Sequence, residues 1–254
     1  TSVSTLSTPA AAVHAMHSYA SSSLWLPRSR VRVGKHNVKS FPCRDVLNVL
    51  GMYPGDPGPP GGDCSGIVAR APGDGPPCGL RPGQAVFGLA AGSLGSYVHA
   101  CAKTVVPMPA SVTFEEAATM PTVFITVDTA LSQLARTTSR DSVLVHAAAG
   151  GVGLAAMQMI EAFGAKALTT AGSSNKRALL RSLGAECAVN SRDTAFASEV
   201  CQLGGADVVL NSLTSSGMVA ASLAAANRGG RFVEISKRDI WSAGQAAAGR
   251  IEGL

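Results

Sequence analysis

The sequence predicts an α/β protein in which the second half of the chain forms a parallel sheet flanked by helices. The apolar segment 143–145 enters a turn of small residues, and an apolar helix follows near Leu154. Beyond Gly153, strand-like and helix-like segments alternate regularly. Between Val31 and Met108 the pattern differs, because short β segments are separated by glycine and proline. Repeated strand–helix–strand units favour a parallel sheet with right-handed crossovers.

Composition excludes several classes of protein. The chain has 254 residues, of which 46% are hydrophobic, and a net charge of +5. Since no apolar run reaches the roughly 18–20 residues needed to cross a bilayer, we expect a soluble protein with no membrane partner. The Lys and Arg residues are scattered along the sequence without interleaved aromatic residues, so we expect no nucleic-acid partner.

The cysteines indicate a reducing compartment and no metal site. Six cysteines are spread thinly along the chain, and none of them form a C-x-x-C pair or a zinc-like spacing. Cys64 and Cys101 are expected to be small core residues. We therefore expect a cytoplasmic protein. A plastid location stays open, because residues 1–30 are rich in Ser and Thr and lack acidic residues.

Three regions are expected along the chain. Residues 1–30 are predicted to be a disordered or linker segment, and residues 31–120 a partial β-rich domain with strands at 64–69, 84–88 and 96–100. Residues 121–254 are predicted to hold the parallel sheet. The Gly- and Pro-rich stretch 51–62 excludes a helix at that point, because proline removes a backbone donor.

Two helices are predicted before the parallel sheet. Thr113 and Glu116 have the spacing of a capping box, which starts one helix at Thr113. A second helix is predicted over 126–134. Within the sheet region, strands are predicted at 166–171, 186–190, 207–210 and 230–235, and helices at 175–183, 195–203 and 217–225.

The turn after the first of these parallel strands is a predicted dinucleotide site. Ala148, Gly150 and Gly153 occupy the three positions of the G-x-G-x-x-G pattern, with Ala replacing the first glycine. Small residues let the backbone approach a diphosphate, and the helix N-terminus offers it unpaired N–H groups. The strand and helix on either side supply the context that this interpretation requires. The predicted residues are Ala148, Ala149, Gly150, Gly151, Val152 and Gly153.

The end of the second parallel strand indicates which nicotinamide cofactor is bound. NAD is usually held by an acidic residue there, whereas NADP needs basic residues for its 2′-phosphate. Residues 171–177 contain no carboxylate. Basic and hydroxyl side chains are present instead, and they predict NADPH: Ser173, Lys176, Arg177 and Arg192.

Several segments, in order, resemble one enzyme family. They are 146–153 (HAAAGGVG), 190–194 (NSRDT), 208–213 (VVLNSL) and 229–240 (GGRFVEISKRDI), with 44–47, 50–55 and 121–124 upstream. Together they resemble the enoylreductase domain of polyketide synthases and animal-type fatty acid synthases. That family belongs to the zinc-free medium-chain dehydrogenase/reductases, which are related to quinone oxidoreductases.

The resemblance implies a fold, a reaction and further site residues. The fold is a doubly wound Rossmann domain, C-terminally incomplete here, with an N-terminal GroES-like substrate domain. The reaction is hydride transfer from NADPH to the β-carbon of an α,β-enoyl thioester, followed by protonation of the α-carbon. Lys237 matches the family's proposed proton donor, although Ser236 replaces the glycine before it. The resemblance also adds Asn211, Ser212 and Leu213 to the cofactor site.

The resemblance also implies partners, and one tyrosine is a candidate for the substrate pocket. The thioester would arrive on an acyl carrier protein, and neighbouring synthase domains are expected. A homodimer is left open. Tyr53 is predicted to be a catalytic-pocket residue with its hydroxyl toward the substrate, although a tyrosine that only packs its ring is an equal alternative. His146 is expected to lie in a strand with its ring hydrogen-bonded.

Two departures from the family keep other functions open. The segment 34–45 differs from the family's Gly-x-Asn-Phe-Arg-Asp motif, and a further family aspartate would fall beyond Leu254. One alternative is a free-standing NADPH-dependent quinone or enone reductase. Another is a catalytically defective fragment that binds NADPH.

Overall fold

The computed structural model describes residues 30–39, 43–53, 55, 56, 58–71, 79–237, 240–242, 244 and 245. Contacts between residues divide the chain into two units, residues 1–125 and residues 126–254. Nearly all of the predicted linker, residues 1–29, lies outside the described residues. The domain limits predicted from the sequence stay a prediction.

The first unit is built on an antiparallel sheet of five strands in the order β4-β1-β2-β3-β5. The strands are β1 Arg30–Lys39, β2 Asp63–Arg70, β3 Ala85–Leu89, β4 Tyr97–Cys101 and β5 Val105–Pro107. Burial alternates along β1, where Arg30 and Arg32 are exposed and Val31 and Val33 are fully buried. One face of the sheet therefore forms the core of this unit, as a half-buried sheet requires.

Among the described residues, the helices that accompany this sheet are short: α1 Cys43–Val49, α2 Phe114–Thr119 and α3 Pro121–Val127. The predicted capping box at α2 is confirmed. The Thr113 side chain accepts a hydrogen bond from the Glu116 N–H (3.2 Å), and the Glu116 carboxylate accepts one from the Thr113 N–H (2.9 Å). Helix α1 was not predicted from the sequence, and it ends just before the Gly- and Pro-rich stretch. The described part of that stretch contains no helix.

The single helix predicted over 126–134 is wrong in both its start and its type. The α-helix begins at Pro121, since proline is well suited to a first helical position, where its missing N–H is not needed. From Asp128 to Leu134 the chain continues as a π-helix, in which the Ala135 N–H donates to the Ala130 carbonyl at 2.9 Å. Periodicity could not reveal this change of helix type.

Two buried carboxylates anchor loops of the first unit. Asp63, 2% exposed, accepts hydrogen bonds from the Thr122 N–H (3.0 Å) and hydroxyl (2.6 Å) at the start of α3. A negative charge is favoured at that end of a helix. Asp45, 1% exposed, lies in the segment that departs from the family motif, and it accepts a hydrogen bond from the Gly61 N–H at 2.9 Å. Both side chains therefore hold backbone in place.

The second unit contains the predicted parallel sheet, with five strands in the order β10-β9-β6-β7-β8. The strands are β6 Ser142–Val145, β7 Lys166–Ala171, β8 Cys187–Asn190, β9 Ala206–Asn211 and β10 Ala226–Glu234. The helices between them are α4 Gly151–Phe163, α5 Ser174–Ser182, α6 Phe196–Gln202 and α7 Met218–Ala224. This order is that of a doubly wound nucleotide-binding sheet, which confirms the predicted fold class.

The sequence prediction of these elements was close. The strand 166–171 is confirmed with its limits, and the helices agree to within a residue at each end. β10 begins at Ala226 rather than at residue 230, with an irregular register between Ala226 and Arg231. The core joins Leu144, Leu168 and Val209 of the sheet to helix residues such as Phe196. No helix in the described part of the chain is both long and apolar enough to cross a membrane.

An ion pair lies at the N-terminal edge of the parallel sheet. The Arg231 guanidinium pairs with Asp141 just before β6, and it donates to the Ala135 carbonyl at 2.7 Å. The Asp141 carboxylate also accepts from the Thr138 N–H at 2.6 Å. Burial raises the pKa of Asp141, but the hydrogen bonds from Thr138 and Arg231 outweigh it, so the pKa lies below its ordinary value.

We predict that Asp141→Asn lowers the free energy of unfolding by about 1–3 kcal/mol at pH 7, since a charge-assisted hydrogen bond is lost. A carboxyl group whose folded pKa is depressed stabilises the protein above its unfolded pKa of about 3.9. The difference from wild type should therefore shrink as the pH falls from about 4 through the lower folded value. Urea unfolding between pH 7 and pH 3 measures this, and a difference independent of pH would contradict it.

Candidate functional site

The carboxyl ends of β6 and β9 mark the point where the parallel sheet reverses its order. From β6 the chain proceeds to β7 and β8 on one side, and β9 and β10 lie on the other side. In open α/β sheets, ligands bind in the crevice outside the carboxyl ends of strands at such a point. The predicted cofactor residues follow β6, β7, β8 and β9, so the topology brings them to this edge.

The turn from β6 into α4 presents an uncapped helix N-terminus. Gly150 is the N-cap residue with an extended backbone (φ −91°, ψ 174°), and no side chain caps the helix there. The turn is closed by the Gly150 N–H, which donates to the Ala147 carbonyl at 2.9 Å. The first N–H groups of an α-helix have no partner within the helix, and they are a ready site for an anion.

Gly153 packs directly against the backbone of this turn. A Cβ atom at Gly153 would lie 2.4 Å from the Ala148 Cα and carbonyl oxygen, whereas Gly150 would meet the Ala147 oxygen at 3.3 Å. Only a glycine at position 153 lets α4 approach the turn this closely. This is the role that a third glycine has in nucleotide-binding turns.

A cluster of basic side chains surrounds the end of β7. The Arg192 guanidinium lies against Gly172, where a Cβ atom would be 2.6 Å from its Nε. Arg177 donates to the Ala171 carbonyl at 3.1 Å, and the Ser173 hydroxyl caps α5 by accepting from the Lys176 N–H. The missing side chain at Gly172 therefore creates the space in which the Arg192 guanidinium lies.

Two of the positive charges in this cluster face solvent. Both Lys176 and Arg192 are exposed, and among the described residues no acceptor is hydrogen-bonded to either side chain. The neighbouring Asp193 is engaged elsewhere, since its carboxylate accepts from the Asn190 amide (2.7 Å) and from the Ala195 N–H (3.0 Å). The arrangement favours an anionic ligand at this edge.

The end of β9 is tied to the end of β10 by one carboxylate. The fully buried Asn211 donates to the Glu234 carboxylate at 2.6 Å, and the Ser236 N–H donates to the other oxygen of Glu234 at 2.7 Å. Asn211 also bonds both backbone groups of Leu213, and the Ser212 hydroxyl donates to the His146 carbonyl at 3.4 Å. Glu234 thus fixes the backbone that leads to Lys237. This role of Glu234 was not predicted, although the residue lies in the family-like segment 229–240.

The two predicted catalytic residues belong to different units. Lys237 is exposed and follows β10 at the carboxyl edge of the parallel sheet. Tyr53 is half-buried in the loop after α1 of the first unit. Their predicted roles stay predictions. Cys64 is fully buried, and burial, reinforced by the adjacent Asp63 charge, raises the pKa of its thiol to about 12, which excludes a nucleophile at neutral pH.

His146 has a satisfied ring, as predicted, but it lies in the turn after β6 and not in the strand. Its two ring nitrogens contact the hydroxyl groups of Thr170 (3.1 Å) and Ser222 (2.8 Å). Neither partner was predicted from the sequence, because they lie 24 and 76 residues away along the chain. In the part of the chain that the structure describes, no group of three or more His, Cys, Asp or Glu residues could hold a metal ion.

The chain is similar to known dehydrogenases and to parts of polyketide synthases. Residues 151–245 match the family model for zinc-binding dehydrogenases. The chain is 43% identical over 206 residues to the spectinabilin polyketide synthase system protein NorB of Streptomyces orinoci, a match that covers 80% of this chain and 9% of NorB. The chain therefore spans less than a tenth of that relative.

Solved structures match most of this chain. The CurK enoyl reductase is 35% identical with a TM-score of 0.79, and the match covers 89% of this chain and 71% of that one. The JamJ enoyl reductase is 33% identical with a TM-score of 0.80, and the match covers 89% of this chain and 72% of that one. A quinone oxidoreductase of Pseudomonas syringae is 24% identical with a TM-score of 0.76, which shows a shared fold alone (coverage 89% and 72%).

We predict that Gly153→Ala lowers the free energy of unfolding by about 1–3 kcal/mol, since overpacking against the rigid backbone of Ala148 forces the turn to move. Thermal unfolding followed by circular dichroism measures the loss. Gln158→Ala is the control, because Gln158 is exposed on the same helix. An equal effect of the two substitutions would contradict the close packing.

Proposed function

The chain belongs to the enoyl reductase family of polyketide synthases, and from this premise we propose that it reduces the carbon–carbon double bond of an α,β-enoyl thioester with NADPH. The thioester is presented on an acyl carrier protein, and the chain works beside neighbouring synthase domains. The proposal has two parts, a cofactor site in the second unit and a proton donor at the same sheet edge.

The observation that carries the proposal is the turn between β6 and α4. Its helix N-terminus has no side-chain cap, and Gly153 lets the helix close onto Ala148. These features fit a diphosphate, which needs backbone N–H groups and room for a close approach. The residues that would hold it are Ala148, Ala149, Gly150, Gly151, Val152 and Gly153. The loop after the buried Asn211, with Ser212 and Leu213, would adjoin this site, since the Ser212 hydroxyl donates to the His146 carbonyl beside the turn.

The basic cluster at the end of β7 supports NADPH over NADH. The side chains of Ser173, Lys176, Arg177 and Arg192 surround the position where an acidic residue would hold NAD. A guanidinium and an ammonium group suit the doubly charged 2′-phosphate. A carboxylate acceptor for the 2′-hydroxyl of NADH is not supplied by residues 171–177.

Lys237 would supply the proton for the second half of the reaction. Bound NADPH supplies the hydride that adds to the β-carbon of the enoyl group. The α-carbon then carries negative charge that is shared with the thioester oxygen, and it takes a proton from the Lys237 ammonium group. Glu234 holds the backbone before Lys237 through Ser236, so the lysine is attached to a fixed point of the sheet. Tyr53 is proposed to orient the thioester.

We predict that single-turnover mixing with NADPH and a crotonyl thioester on a carrier protein oxidises the nucleotide, with much less oxidation by a small quinone. Lys237→Met should lower the rate by about 10²–10⁴-fold, the usual contribution of general acid catalysis, while NADPH binds as before. Nucleotide fluorescence measures both the reaction and binding.

The outcomes of this experiment separate the competing functions. A faster reaction with the quinone would replace the proposal by the free-standing reductase. Binding of NADPH without reduction of the thioester would identify a defective nucleotide-binding fragment. An unchanged rate in Lys237→Met would remove this residue from the mechanism but leave the reaction in place.

We predict that Lys176→Ala combined with Arg192→Ala weakens NADPH binding by about 10–100-fold, since each charge-assisted hydrogen bond contributes about 1.5–3 kcal/mol before solvent screening. NADH binding should change by less than about threefold, because NADH has no 2′-phosphate. Titration calorimetry with both nucleotides measures this. The control is Lys166→Ala at the start of β7, where Lys166 pairs with Glu186 at 3.4 Å. Equal losses for both nucleotides would contradict the assignment.

A further inference from the structure

His146 is a buried ionisable side chain that the proposed mechanism does not use. Its ring is enclosed, with the residue 3% exposed, and it packs edge-on against Phe196 at a centroid distance of 4.9 Å. Two hydroxyl groups contact its nitrogens, Thr170 on β7 and Ser222 on α7. The ring therefore joins two elements that lie on either side of the turn.

The hydrogen bonds around the ring have one consistent direction. The Ser222 hydroxyl lies 2.8 Å from the Met218 carbonyl oxygen, and donating to that carbonyl leaves it free to accept a hydrogen bond from His146 Nε2–H, which is the arrangement that the proposal below adopts. Burial lowers the pKa of His146 to about 3, so the ring is neutral at neutral pH and Nδ1 is an acceptor. Nδ1 then accepts a hydrogen bond from the Thr170 hydroxyl group.

The same threonine holds the backbone of the turn. The Thr170 hydroxyl oxygen lies 3.4 Å from the Ala147 N–H, and the Thr170 carbonyl accepts from the Ala148 N–H at 3.0 Å. Ala147 has φ +49°, a left-handed backbone that alanine rarely adopts and that the surroundings must enforce. The relay thus runs from Ala147 through Thr170, His146 and Ser222 to the carbonyl of Met218.

We propose that His146 is a positioning residue whose neutral ring, bridging Thr170 and Ser222, fixes the left-handed turn at Ala147. Its effect on the cofactor rests on the proposed function. In that function the turn sets the direction of the N–H groups at the start of α4. Since the diphosphate is common to both nucleotides, the relay acts on NADPH and NADH alike, unlike Lys176 and Arg192.

Nuclear magnetic resonance of the nucleotide-free chain tests the relay directly. Two-bond ¹H–¹⁵N correlation should show His146 with its proton on Nε2 and no titration between pH 5 and pH 8. A proton on Nδ1, or a titration near the ordinary histidine pKa of about 6.5, would overturn the proposal. The nucleotide has no part in this measurement, so its result is independent of the proposed function.

Two isosteric substitutions separate positioning from simple stability. Thr170→Val removes the relay hydroxyl. Thr169→Val is the matched control, because Thr169 is equally buried and donates to the Cys187 carbonyl at 2.7 Å, on the other face of β7. Both variants should unfold at a lower temperature, but only Thr170→Val should speed amide hydrogen exchange at Ala147. Equal exchange at Ala147 in both variants would overturn the proposal.

Nucleotide binding then completes the test. Thr170→Val should weaken NADPH and NADH by the same factor of about five, the equivalent of about 1 kcal/mol, and Thr169→Val should leave both unchanged. Unchanged affinity in Thr170→Val would overturn the link between the relay and the cofactor. Absence of binding in the wild-type chain would overturn the proposed function, while the tautomer and the exchange rates would still decide whether the relay exists.

Discussion

The second unit depends on one close approach, in which α4 rests on the backbone of Ala148 because Gly153 has no side chain. This contact sets where the helix begins and therefore where its unpaired N–H groups lie. Residues of β7 and of the loop after β9 contact the same turn. Thr170 of β7 contacts the turn through its hydroxyl, and Ser212, just after β9, donates to the His146 carbonyl. A local steric constraint thereby fixes the position of a whole site.

Polar residues at this edge are divided between holding the protein and facing a ligand. Four of them are buried or half-buried, and they make their hydrogen bonds to backbone groups or to neighbouring side chains of the protein: Asn211, Glu234, Thr170 and His146. Lys176 and Arg192 lie exposed with open charges. The first group keeps the edge rigid, and the second supplies charge. Such a division is expected where a binding site must be shaped before its ligand arrives.

Much of this could be predicted from the sequence, because the parallel strands and helices have strong local patterns. Gly150 and Gly153 stand in a recognisable spacing, and Thr113 with Glu116 marks a helix start that the structure reproduces. The π-helix at Asp128 and the helix α1 have no such local signal. The partners of His146 and the bond between Asn211 and Glu234 depend on elements far apart in sequence. Tertiary packing determines them, and a single sequence does not display it.

The place of Arg192 against Gly172 has a consequence for how this chain could evolve. Any side chain at 172 would push the guanidinium out, since even a Cβ atom would lie 2.6 Å from its Nε. An aspartate at that position would have two effects. It would displace the Arg192 guanidinium from its present place, and it would supply the carboxylate that hydrogen-bonds the ribose 2′-hydroxyl of NAD. Under the proposed function, the preference for NADPH over NADH therefore depends on the absence of a side chain at position 172.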